Sequence, residues 1–130
     1  MSTKRWNIFA RELEDILNRR DCRLGQLDDR AGIHPQKVSR LQKSLRQPKH
    51  FQVLDPEELE DVVLAFDLDQ YEELCLRAAV LTVAIEGVLI KRIDPEDALL
   101  AAEQIFPIIL RVLDRHKSGG SGLANVRGDS

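Results

Sequence analysis

LGQLDDRAGIHPQKVSRLQK, residues 24–43, holds its apolar positions at offsets that suit two helices meeting across a tight turn. Leu27 and Ala31 lie one turn apart on the first of them. Gly32 allows the left-handed backbone that ends that helix, because it carries no Cβ. His34-Pro35 opens the next helix, since proline fits a first turn whose N–H has no intrahelical partner. Ile33, Val38, Leu41 and Leu45 then form an inner face, and Gln36, Lys37, Ser39, Arg40 and Lys43 are left on the outer one. The expected geometry is a pair of helices fixed at a steep angle, with one face of the second in solvent.

Outward from this stretch the pattern stays helical. Trp6, Phe9, Leu13, Ile16 and Leu17 draw one stripe on a first helix expected to start after Ser2 or Thr3. Arg19, Arg20 and Arg23 surround a polar link to the second helix, expected over Leu24 to Ala31. Asp55-Pro56-Glu57-Glu58 supplies an N-cap, a first-turn proline and a capping-box glutamate for a fourth helix to about Phe66. Asp69 and Glu72 repeat that logic for a fifth helix reaching about Arg92, and Asp94-Pro95-Glu96-Asp97 starts a sixth. These acidic starts are cap and dipole chemistry rather than catalytic carboxylates. Pro107 is expected to kink or split the sixth helix. After Lys117 the sequence SGGSGLANVRGDS reads as a flexible tail, and its Arg-Gly-Asp-Ser ending is a four-residue match without further support.

Composition bounds what such a chain does. With 130 residues, 43% of them hydrophobic, it can bury one core without metals or disulfides. Cys22 and Cys75 are far apart and show no ligand spacing, so both read as small buried or half-buried thiols. No secretory pattern opens the chain, which points to a cytoplasmic address. Leu74–Ile90, LCLRAAVLTVAIEGVLI, is apolar nearly all round, but Arg77 and Glu86 would each cost about 2.5–3.5 kcal/mol in a bilayer, which argues for a buried helix instead. No nucleophile elbow, phosphate loop, HExxH or paired cysteines are present, and His34, His50 and His116 are scattered. A binding protein without cofactor or metal is therefore expected, not an enzyme.

The net charge of −3 conceals a division along the chain. Residues 1–50 carry twelve Lys/Arg against six Asp/Glu, whereas residues 51–117 carry six against fifteen. Surface charges are screened beyond roughly 10 Å at 0.1 M salt, so phosphates respond to the local basic patch and not to the average.

Residues 24–43, with helix order, the Ala-Gly-Ile turn, Val-Ser-Arg-Leu and the following LDPEELEDVVLAFDLDQYEEL, resemble the helix-turn-helix of Cro and phage-repressor type regulators, the XRE-like family, over about residues 5–74. Asp28 stands where that family usually has a small residue, His34 replaces the usual Ser or Thr cap, and Leu24 stands where a Gln is common. Helical spacing along the chain makes the class all-α. The resemblance implies a five-helix helix-turn-helix DNA-binding domain over residues 1–69, and the apolar pattern beyond it is expected to form a helical dimerisation hairpin over 70–117, followed by a tail over 118–130. The resemblance further implies a sequence-specific regulator of transcription, a dimeric repressor, whose third helix enters the major groove of double-stranded DNA. Gln36 suits adenine, Arg40 and Lys37 suit guanine, and Ser39 shares that face. Arg23, Lys43, Arg46 and Lys49 suit phosphates.

The two apolar carboxyl-terminal helices cannot fully cover each other, so a homodimer is expected through Leu81, Ile85, Val88, Leu89, Ile105, Ile109 and Leu113. Glu86 is the one ionisable residue in an apolar setting, open to pairing with Arg111 or Arg77 of a second copy, to a small effector, or to an exposed helix edge. An adaptor or antitoxin-like module, holding a protein partner on the acidic half, is the alternative function.

Overall fold

A computed structural model describes residues 5–48 and 51–127, with side-chain surroundings as far as His116. Among the described residues the chain is helical without strands: α1 Ile8–Asn18, a 3-10 turn Leu24–Gln26, α2 Leu27–Ala31, α3 Pro35–Arg46, α4 Pro56–Ala65, α5 Gln70–Leu89 and α6 Pro95–Arg127. No helix among them is long and apolar enough to cross a membrane.

Helix α1 is the spine. Ile8, Phe9, Leu13 and Leu17 are fully buried, and they pack into a cluster that runs without a break through Leu27, Leu41, Val62, Leu76, Val83 and Ala102. Each large aliphatic or aromatic side chain among them contributes about 1.5–3 kcal/mol by leaving water. Helix α6 folds back along α5, and Ala98, Leu99 and Ala102 bury its first turns.

The first helix starts at Ile8, later than expected, because Asn7 is its cap. Asn7 sits in left-handed backbone at φ 48° and is fully buried. Its Oδ1 accepts from Ala10 N at 3.0 Å, and its Nδ2 donates to Ser44 Oγ at 2.7 Å and to the Gln52 carbonyl at 2.8 Å. Two of its three partners are distant in sequence, so no local signal marks it. The second helix divides into the 3-10 turn and α2, with Gln26 Oε1 accepting from Arg23 N at 2.8 Å. Helix α6 passes Pro107 unsplit. Pro107 and Glu103 are both exposed, so the carbonyl that proline leaves without a donor can face water. Its backbone remains helical past residue 117, where the sequence reads as linker, and side chains beyond His116 lie outside the described residues.

The α4–α5 corner is clamped by Arg20. Its guanidinium donates to the carbonyls of Phe66 and Asp67, each at 3.1 Å, and to the Glu72 carboxylate. Asp67 takes the left-handed turn at φ 54°. Arg30 stacks 4.7 Å above the Phe66 ring and reaches Cys22 Sγ at 3.1 Å. Cys22 and Cys75 are both free, buried thiols.

Candidate nucleic-acid interface

Gly32 ends α2 at φ 72°, and the chain reverses there with Gly32 N donating to Asp28 O and Ile33 N donating to Leu27 O, both at 3.2 Å. This is the glycine position that left-handed backbone requires. His34 then caps α3, its Nδ1 accepting from Gln36 N at 3.1 Å. The imidazole nitrogen thus does the work of a Ser or Thr oxygen. Asp28, half-buried, accepts from Asp29 N at 2.7 Å through Oδ1.

Val38, Leu41, Ser44 and Leu45 bury the inner face of α3. Gln36, Ser39, Arg40 and Lys43 are all exposed on the other side. Falling at i, i+3, i+4 and i+7, they form a row about 10 Å long at 1.5 Å per residue. Lys37 does not join it: its ammonium is held by both carboxylate oxygens of Glu58 on α4, at 2.7 and 2.9 Å. The partner lies twenty-one residues away, which is why helical spacing alone put Lys37 on the reading face.

The same accounting divides the basic half of the chain. Arg5 pairs with Glu14 and Asp15, Arg11 with Glu103, Arg20 with Glu72 and Lys37 with Glu58. Among the described residues, no carboxylate forms an ion pair with Arg23, Arg40, Lys43 or Arg46. These cations are exposed and free to meet an anion. Arg23 and Arg46 line a groove of about 810 Å³ between the end of α1, the 3-10 turn and α3, together with Asn18, Gln26 and Gln42. Gln42 was not singled out from sequence, although its place one residue before Lys43 on the outer side of α3 was available. Lys49 lies outside the described residues.

On the hairpin, Leu81 is 50% and Val88 60% exposed, on one face of α5. Ile85, Leu89, Ile105, Ile109 and Leu113 are half-buried, and Leu100, Ile108 and Val112 add exposed aliphatic surface on α6. Glu86 is on no exposed edge: it is fully buried, with Oε1 accepting from Ile8 N at 3.1 Å. Arg77 is occupied by Glu73 of its own helix, at 2.6 Å. Among the described residues no group of three His, Cys, Asp or Glu side chains is placed to hold a metal ion. Neither a protein-family model, nor a curated protein, nor a solved structure matches this chain.

Proposed function

We propose that the chain is a sequence-specific double-stranded DNA-binding regulator of transcription, reading the major groove with the helix-turn-helix formed by α2 and α3. The observation that carries this reading is the outward row Gln36, Ser39, Arg40 and Lys43, exposed on a helix whose opposite face is anchored in the core. Gln36 and Arg40 have the donor and acceptor groups that fit adenine and guanine edges, and Ser39 fits either. Arg23, Lys43 and Arg46 suit the flanking phosphates, which set register without reading sequence. Lys37, bonded to Glu58, supports α3 from behind.

Fluorescence anisotropy with duplexes selected from a random library tests the reading. Log affinity should fall linearly with log salt concentration, by about 0.9 per phosphate neutralised. Lys43→Ala and Arg46→Ala should each flatten that slope by about one and weaken all duplexes alike. Affinity indifferent to salt would favour a protein-binding adaptor instead.

Pairing through the hairpin fits this function. The exposed Leu81 and Val88, with Ile85, Leu89, Ile105, Ile109 and Leu113 beside them, offer aliphatic surface to a second copy. Two reading helices would then address half-sites about 34–36 Å apart, or a multiple of that spacing. Sedimentation equilibrium at micromolar concentration should return twice the chain mass of 14.8 kDa, and Val88→Glu should return the single mass. A native chain sedimenting as a monomer removes the dimer from the proposal and leaves the reading helix untouched.

A further inference from the structure

The seam between α1 and α5 contains a carboxyl group that DNA reading does not use. Glu86 is fully buried on the last turns of α5, and while its Oε1 accepts the Ile8 N–H, its Oε2 has no hydrogen-bond partner among the described residues. Among the described residues no cation forms an ion pair with it. From α1, Arg11 acts on it through space, but its guanidinium is bonded at 2.7 Å to Glu103 on α6. From α5 itself, the Thr82 hydroxyl donates to the Ala78 carbonyl. Asn7, at the same end of α1, spends its carboxamide on Ala10, Ser44 and Gln52. An ionised carboxylate would leave an acceptor unmet in an apolar core, whereas the acid form carries no charge to solvate.

We propose that Glu86 is a proton-operated latch between the carboxyl-terminal hairpin and the amino-terminal unit. With its proton on, the carboxyl seats the first turn of α1 against α5. With the proton off, an unpartnered charge in the core loosens that seam. The last turn of α3 hangs from the same node, through Asn7 Nδ2 to Ser44 Oγ and through Trp6 N to the Leu45 carbonyl at 3.0 Å. Loosening the seam therefore reaches the helix that faces solvent with Arg40.

The sign follows from burial, which pushes the Glu86 carboxyl above its ordinary value of 4.5; the amides of Ile8 and Asn7 and the charge of Arg11 pull the other way, and Glu103 adds to the rise. The folded chain then keeps a proton that the unfolded chain has lost. The contribution of Glu86 to stability is fully present below about pH 4.5 and is lost as pH rises to the raised value, lowering the folded-to-unfolded ratio by up to about tenfold per pH unit inside that window. Burial raises Glu12 too, so the native chain must be compared with Glu86→Gln. Glutamine keeps an acceptor for Ile8 N and cannot ionise.

Urea unfolding of both proteins from pH 4.5 to 8 is the test, with hydrogen exchange of the first α1 turn, corrected for intrinsic rates, at each pH. Glu86→Gln should gain on the native chain by up to about tenfold per pH unit, and the α1 amides should open with rising pH in the native chain alone. Parallel stability curves overturn the latch, as does a glutamine variant that loses ground when the pH rises. Should the variant fail to fold, a carbon-13 titration of the Glu86 carboxyl in the native chain decides: a midpoint above 4.5 supports the latch, and one at or below it overturns it. None of these measurements involves DNA, so failure of the latch leaves the DNA reading standing.

Discussion

Arg40→Ala should weaken binding to the preferred duplex by about 5- to 150-fold, the equivalent of the 1–3 kcal/mol that a good bidentate base contact supplies. The loss should be confined to duplexes carrying the preferred base at one position, and discrimination there should disappear. Gln36→Ala should act at a neighbouring position with similar size. Because Arg40 is exposed and pairs with no carboxylate among the described residues, urea unfolding of the variant should match the native chain within about 0.5 kcal/mol. An equal drop on every duplex would instead assign Arg40 to the phosphates alongside Lys43.

Asn7→Ala should destabilise the fold by about 3–5 kcal/mol, a large part of the 5–15 kcal/mol typical of a whole domain. Several losses combine. The cap on Ala10 N is worth about 1 kcal/mol, an alanine held at positive φ costs about 1–2 kcal/mol, and the two hydrogen bonds from Nδ2 add about 1–2 kcal/mol between them. Ser44 Oγ, which also donates to the Leu41 carbonyl, and the Gln52 carbonyl both lose the Asn7 amide. Ser44→Ala keeps the cap and should cost only about 1–2 kcal/mol. Urea denaturation measures both; an Asn7→Ala cost under about 1 kcal/mol would show that the start of α1 does not depend on this node.

Local chemistry was legible where a residue and its partner lie within one turn. The capping boxes at Asp55 and Asp69 form as the spacing requires, with Glu58 N on Asp55 Oδ1 at 2.9 Å and Glu72 N on Asp69 Oδ1 at 2.8 Å. Gly32 takes the left-handed backbone, and Pro35 opens α3. For the candidate site, helical periodicity was enough to put Gln36, Ser39, Arg40 and Lys43 on the solvent side, since Val38, Leu41 and Leu45 had to face the core.

What periodicity could not supply is which charges find each other across the fold. The amino-terminal half is basic on balance in sequence, yet Arg20 is taken by the α4–α5 corner, Arg11 by α6 and Lys37 by α4. Glu58 caps its own helix and holds Lys37 with the same carboxylate, a double role that exists only once α3 and α4 are packed. Glu86 looked as suited to solvent as to the core, and burial was decided by where α1 begins, seventy-eight residues earlier.

The amino-acid order alone therefore determined the helical class, the turn at Gly32 and the outward row on α3, because caps, left-handed glycine and 3.6-residue periodicity act over one or two turns. Packing of the helices settles which cations among the described residues stay unpaired, where α1 starts and that a carboxyl is sealed beneath it. Ion pairing and desolvation depend on distance through space, and that distance is set when the helices pack.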